Sequence, residues 1–196
     1  MRNVLLTSPD FIRLNSNISD NLNSKVLASA IRETQDNELQ EVIGEILLDK
    51  LCWLIQENRI DEEQYKPYKS VLDKAQMFIL YKVVAEVCML TNFKIDNSGV
   101  TQTRDENIDY VDIDDTFTLK EYYEKKADHY CYLLQNYIMQ HLAELPEVTE
   151  YQAWKIHSTL YSAASSGVFL GGARGRGWFR FFPYRYQRGM NWPGGR

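Results

Sequence analysis

The chain has 196 residues and a net charge of −5, from 22 basic and 27 acidic side chains. It contains no run of about eighteen apolar residues, and the apolar run before Ser8 is short, which argues against a membrane span and a signal peptide. Cys52, Cys88 and Cys131 are far apart and each lies in an apolar helical pattern. Buried thiols in a reducing compartment are expected, rather than disulfides. The sequence therefore predicts a soluble protein made in a cytoplasm.

The first half of the chain shows the periodicity of helices. Apolar residues recur at three- and four-residue spacing over residues 24–59, the pattern of helices that bury one face. We predict two helices here, with a break or bend near Asp36 and Asn37. Residues 65–93 predict a short helix and then a strongly apolar one over about 74–90. Because this helix is apolar around most of its circumference, we expect it inside a bundle or in an interface.

The pattern changes to strict alternation after this helix. Asn97, Ser98 and Gly99 supply the residues that a tight turn needs for positive φ. We therefore predict a small β-hairpin over about 93–103. The acidic stretch 105–115 that follows is expected to be a surface loop.

A long helix is predicted over about 119–145. Thr118 lies three residues before Glu121, the spacing of a capping box, and Pro146 stops the pattern. Tyrosines on more than one side of this helix indicate contacts beyond a single core. A further helix is expected from Thr149. The fold class is thus mainly α: a bundle of about four to five helices with one short hairpin.

No catalytic or metal-binding pattern is present. His129, His141 and His157 are twelve and sixteen residues apart, which is wrong for a zinc site. The acidic stretch 105–115 lacks the glycine and terminal glutamate of a calcium loop. Phosphate-loop and nucleophile-elbow motifs are also missing. We expect a protein that is not an enzyme and has no cofactor or metal.

Residues 167–196 differ sharply from the rest of the chain. They hold six of the 22 basic residues and no Asp or Glu, so 16 basic residues remain against 27 acidic ones in residues 1–166. The net charges are −11 for residues 1–166 and +6 for residues 167–196. Eight of the ten glycines also lie in residues 167–196. We predict a helical body over 1–166 and a basic, glycine- and aromatic-rich docking arm over 167–196.

Two interpretations of the arm are open. Arginine interleaved with glycine and aromatics is typical of segments that neutralise phosphates and stack on bases. Trp, Tyr and Arg are also enriched at protein interface hot spots, and arginine–glycine segments seldom hold so many bulky aromatics. We favour docking on a protein, with a nucleic-acid-binding accessory protein as the alternative. The candidate arm residues are Arg174, Arg176, Trp178, Phe179, Arg180, Phe181, Phe182, Tyr184, Arg185, Tyr186, Arg188 and Trp192.

Three short motifs, in a fixed order, carry a resemblance to a known class of protein. They are Thr34-Gln35 before Leu39 and Ile43-Gly44, the turn at 97–100, and Ala127 with "LLQNYI" at 133–138 before Pro146-Glu147. Over residues 5–147 the chain resembles head-to-tail connector (adaptor, or head-completion) proteins. These are encoded by tailed phages of gut Bacteroidetes, including crAss-like phages.

The resemblance implies a helical connector without catalysis, assembled as a ring of about twelve copies beneath the portal protein. Such a ring lies at the head–tail junction of the virion and lets genomic DNA pass without reading its sequence. The long helices would meet side to side, while the hairpin and arm would contact the next ring, the portal or a tail protein. The arm departs from the shortest members of that class, which end soon after the long helix. Candidate ring-interface residues are Tyr122, Tyr123, Tyr130 and Tyr137.

Overall fold

The computed structural model describes residues 4–90, 93–96, 99–102 and 113–165, with side chains described over 4–89 and 114–160. The chain divides after Ser162, and the unit up to that residue is the one described below. The predicted arm, residues 167–196, lies outside the described residues.

The mainly α class is confirmed. The helices are α1 Pro9–Asn15, α2 Ser24–Glu33, α3 Gln40–Ile43, α4 Glu45–Gln56, α5 Lys66–Leu90, α6 Ile113–Gln140 and α7 Glu150–Ser165, with a π-helical segment Thr34–Leu39, a 3-10 turn Glu63–Tyr65 and strands β1 Phe93–Asp96 and β2 Gly99–Gln102.

Helix α5 lies at the centre of the packing. It packs most extensively on α6 and also contacts α2, the π-helical segment and the 3-10 turn. The predicted short helix and apolar helix form this single element, which begins at Lys66. Each fully buried Leu or Ile contributes about 1.5–3 kcal/mol, so this shared apolar core dominates the stability of the unit. Fully buried core residues include Leu27, Ile31, Leu47, Leu51, Ile79, Leu80 and Leu134.

Gly44 makes the turn between α3 and α4. Its φ of 86° and ψ of 156° lie in a region that is essentially restricted to glycine. A Cβ atom at this position would lie 3.3 Å from Cγ of Gln152, on α7. The break or bend predicted near Asp36 and Asn37 falls on the π-helical segment, where regular α-helix is interrupted but the backbone stays helical. The turn between α3 and α4 lies at Gly44, because glycine adopts this positive φ without strain.

Two glutamines hold the segment before α1 against the body. The Leu6 backbone N–H donates to Oε1 of Gln35 at 2.8 Å, and Gln35 Nε2 donates to the Val4 carbonyl at 3.1 Å. Gln76 Nε2 donates to the Leu6 carbonyl at 2.7 Å. Gln35 is 1% exposed, so these bonds form where water cannot replace them.

Helix α6 is displaced from its predicted range of about 119–145. It begins six residues earlier, at Ile113, and ends at Gln140, before a series of turns. Thr118 is therefore inside the helix, where its hydroxyl donates to the Asp114 carbonyl at 2.9 Å instead of capping. A Thr hydroxyl can satisfy either role, which is why spacing alone misplaced the start. The predicted helix from Thr149 is confirmed, since Thr149 Oγ1 accepts from Gln152 N at the start of α7.

Strands β1 and β2 pair antiparallel. Ile95 lies opposite Val100, and Asp96 opposite Gly99. Of the predicted turn residues, Gly99 begins β2, whereas Asn97 and Ser98 lie outside the described residues.

Candidate protein-interaction surfaces

Three of the four candidate ring-interface tyrosines pack within the body. Tyr123 and Tyr130 stack on Tyr81 of α5, with ring centroids 6.4 and 5.3 Å apart. Tyr137 stacks on His141 at 4.0 Å, and Lys74 Nζ lies 4.4 Å from the Tyr137 ring centroid. All three are partly buried. They line one flank of α6 and stabilise its packing on α5 through aromatic and cation–π contacts.

Tyr122 is the one candidate among the four that is largely exposed, at 51%. Its ring meets Tyr123 edge-on at 5.3 Å. Lys126 Nζ lies 4.4 Å from the Tyr122 ring centroid and 5.3 Å from that of Tyr81. The rings of Tyr122 and Tyr123 on α6 and of Tyr81 on α5 therefore surround the Lys126 cation. The surface that a partner would meet here combines aromatic area with a positive charge.

The opposite flank of α6 faces a group of carboxylates. Lys82 Nζ pairs with Glu38 at 2.8 Å, and Asp128 and Glu124 of α6 also act electrostatically on this lysine. The pKa of Glu86 is raised, first by burial and then by the negative charges of Glu33 and Glu38. This part of the body thus concentrates the negative charge that the composition predicts.

A second aromatic cluster joins α4 to the 3-10 turn. Lys50 Nζ lies 4.5 Å from the Trp53 ring centroid, and the Arg59 guanidinium lies 5.6 Å from the same ring and 5.3 Å from that of Tyr65. Arg59 also pairs with Glu62 at 2.8 Å. Trp53 is exposed, so the cations on its faces hold the ring in place at the surface.

Glu147 ties this cluster to the end of α6. The Tyr68 hydroxyl donates to Glu147 Oε2 at 2.6 Å, and Lys50 Nζ lies 3.9 Å from Glu147 Oε1. Burial and this hydrogen bond raise the pKa of the Tyr68 hydroxyl, which keeps it a donor. The Pro146-Glu147 motif therefore has a structural reason: it closes the turns after α6 onto α4 and α5.

Among the residues whose side chains are described, the most exposed aromatic pair lies on α7. Tyr151 is 71% exposed and Trp154 is 58% exposed, and their ring centroids are 6.3 Å apart. The helix beneath them is fixed, because Gln152 Nε2 donates to the Val42 carbonyl at 2.7 Å and Lys155 pairs with Glu41 at 3.0 Å. The pair is thus held outward on a rigid helix.

The sequence reasoning missed both the Trp53 cluster and the Tyr151–Trp154 pair. The spacing of large hydrophobic residues in the sequence could have indicated each of them. Trp53 and Ile46 are seven residues apart, on a side of α4 away from its buried leucines, and both are exposed. Tyr151 and Trp154 are three apart, the spacing of neighbours on one helix face. Large aromatics outside the apolar stripe of a helix were the pattern to look for.

The thiols of the body are shielded to different degrees. Cys52 is buried, and Cys88 and Cys131 are partly buried. Burial, followed by the negative charge of Asp128, raises the pKa of Cys131 to about 11. Because the thiolate is the nucleophile, we expect iodoacetamide to alkylate Cys131 about 100-fold more slowly at pH 8 in the folded protein than in urea. Peptide mass spectrometry measures both rates, and a native rate that levels off between pH 8 and 9 would contradict the raised pKa.

Over the residues whose positions are described, no group of three or more His, Cys, Asp or Glu side chains is arranged to hold a metal ion. No helix in the described part of the chain has the length and apolar character to cross a membrane. His129 is exposed, and His141 Nδ1 lies 2.9 Å from the Tyr137 carbonyl oxygen.

Comparison with known proteins gives a family assignment. No curated protein and no solved structure matches the chain. The sequence profile of a family of unknown function, DUF6712, matches residues 39–158. This region runs from the end of the π-helical segment into α7, and so includes Gly44, both long helices and the Tyr151–Trp154 pair. The chain belongs to the family of unknown function DUF6712.

Proposed function

We propose that this protein is a structural subunit that assembles with copies of itself into a ring joining the head of a tailed phage to its tail. It has no catalytic role in this proposal, and its place is the head–tail junction of the virion. The ring binds the portal protein and gives DNA a conduit. Support comes from the resemblance over residues 5–147 and from exposed aromatic surfaces on a helical body.

The observation that carries the proposal is the Tyr151–Trp154 pair. Trp and Tyr are the residues that most often dominate binding energy at protein interfaces. Because α7 is anchored to α3 through Gln152 and Lys155, the helix that carries the two rings is positioned before a partner arrives. Less backbone ordering is then needed on association, which favours tight binding.

The charge distribution fits a DNA conduit. With a net charge of −11 over residues 1–166, a ring of these bodies does not hold a passing polyanion. The arm, at +6, is free of carboxylates and is attracted to such a body. In this proposal the β1–β2 hairpin and the arm make the contacts to neighbouring ring, portal or tail proteins.

Self-association of the full-length protein tests the proposal. We expect native mass spectrometry to find ring-sized species, either alone or after mixing with the portal protein. Replacing Tyr151 and Trp154 together by Ala should raise the dissociation constant at least about tenfold, equivalent to 1.4 kcal/mol. The fold should survive, because both side chains are exposed. Leu14→Ala is the matched control, since Leu14 is 85% exposed on a different helix.

Two results would overturn the proposal. One is a protein that stays monomeric at all concentrations, both alone and with the portal. The other is tight DNA or RNA binding that weakens steeply with salt and disappears when the arm arginines are replaced, since this is the behaviour of the nucleic-acid-binding alternative.

A further inference from the structure

A groove of about 410 Å³ opens beside the start of α1. It is lined by residues 5–9, Phe11 and Gln76. Its walls are mostly apolar, and its shape is fixed because Gln35 and Gln76 hold the backbone of Leu6. The volume lies at the lower end of the range for small-ligand pockets. A groove of this size suits individual side chains of a partner rather than a folded surface.

One of the lining residues, Thr7, has a hydroxyl group without a hydrogen-bond partner in the described part of the chain. Thr7 is 5% exposed, and its Oγ1 is buried with no hydrogen-bond partner among the described residues. A buried hydroxyl without a partner costs about 1–3 kcal/mol. Because Thr7 is one of the lining residues, a χ1 rotation that turned this buried hydroxyl toward the groove would give it a partner in an entering polar atom. An apolar groove with one unpaired hydroxyl is complementary to an aromatic side chain that also carries a hydrogen-bonding group.

We propose that this groove receives a Trp or Tyr side chain from the C-terminal arm of a neighbouring copy, within residues 178–192. The arm offers Trp178, Tyr184, Tyr186 and Trp192, and Trp N–H and Tyr O–H groups find a hydrogen-bond partner when they are buried. At about 3.3 Å per extended residue, the 30 residues of the arm reach roughly 100 Å. Length therefore does not prevent contact with the next body. This inference rests on the proposed self-assembly.

Photo-crosslinking in the full-length chain tests the groove directly. A benzophenone amino acid replaces Phe11, which lines the groove, and in the control it replaces Leu14, which is exposed on the same helix. We expect the Phe11 probe to capture peptides from residues 178–192 and the Leu14 probe to capture at least fivefold less. Mixing ¹⁵N-labelled with unlabelled chains identifies products that join two copies.

A second variant tests the role of the hydroxyl. Thr7→Val removes it while keeping the shape of the side chain. We expect an unchanged or higher Tm, because no described partner of the hydroxyl is lost, together with at least a threefold lower yield from the Phe11 probe. An unchanged yield would overturn the hydrogen bond to Thr7.

The remaining outcomes separate the two proposals. Capture of residues 1–3, of body residues only, or of the arm of the same copy would overturn this inference. If those results came with ring-sized species in native mass spectrometry, the proposed function would stand without it. A strictly monomeric protein would instead remove the proposed function and this inference with it.

Discussion

Gly44→Ala is expected to destabilise the protein by about 3 kcal/mol, or roughly 6–12 °C in Tm. Two effects combine at this position. An Ala at φ 86° and ψ 156° is strained by about 1–3 kcal/mol, and its Cβ would press on Gln152 at 3.3 Å. Gln152 holds α7 to α3, so its displacement would loosen the helix that presents Trp154. Thermal and urea unfolding followed by circular dichroism measure the loss.

A double-mutant cycle separates the strain from the clash. In a Gln152→Ala background the crowded side-chain atoms are gone, so Gly44→Ala should cost less there, with the backbone strain remaining. Ser29→Ala is the control, because Ser29 is exposed on α2 and should change stability by less than about 0.5 kcal/mol. An equal loss of stability from Gly44→Ala in both backgrounds would mean that the backbone strain at positive φ accounts for the whole effect. A Gly44→Ala protein as stable as wild type would refute the turn geometry.

Gly44 also shows what the sequence did and did not reveal about the fold. Periodicity placed the helices of residues 24–90 correctly in outline, because each buries one apolar stripe. It put a break or bend near Asp36 and Asn37, where the backbone is π-helical and is not broken. The glycine eight positions beyond Asp36 was the stronger signal, since a positive φ costs glycine little. Helix ends that depend on a partner far along the chain, such as Gln152, leave no local trace.

The same limit applies to the interaction surfaces. Four tyrosines of α6 were predicted as ring-interface residues, yet three of them pack on α5 or on His141. That outcome depends on Tyr81 and Lys74, which face α6 only once the two helices have paired. Tyr151 and Trp154 are exposed because α7 meets the body through Gln152 and Lys155 instead. Which aromatics face outward is thus decided by long-range packing.

The Thr34-Gln35 and Ile43-Gly44 motifs have a common physical role. Gln35 lies near the start of the stretch of π-helix and α-helix over residues 34–43, and Gly44 follows its end. Each is in contact with a segment distant along the chain. Gln35 binds the backbone of residues 4–6, while Gly44 leaves room for Gln152 of α7. The first contact shapes the groove beside α1, and the second positions the exposed aromatic pair. Both proposed interaction sites therefore depend on this stretch.

Gln35→Leu is the second substitution with a large expected effect, a loss of about 2–4 kcal/mol. Leucine is similar in size but offers neither Oε1 nor Nε2, so the Leu6 N–H and the Val4 carbonyl lose these partners. Because Gln35 is buried, water cannot replace the two hydrogen bonds that the leucine side chain is unable to form. Hydrogen exchange should show the Leu6 amide losing its protection ahead of the amides of α5.

A matched control makes the Gln35 result specific. Gln56→Leu changes an exposed glutamine at the end of α4 and should alter stability by less than about 0.5 kcal/mol. If the N-terminal segment is held as described, Gln35→Leu should also reduce capture by the Phe11 probe, because the groove loses the bonds that fix Leu6. Retained Leu6 protection in Gln35→Leu would show that other contacts hold this segment, and that the groove does not depend on Gln35.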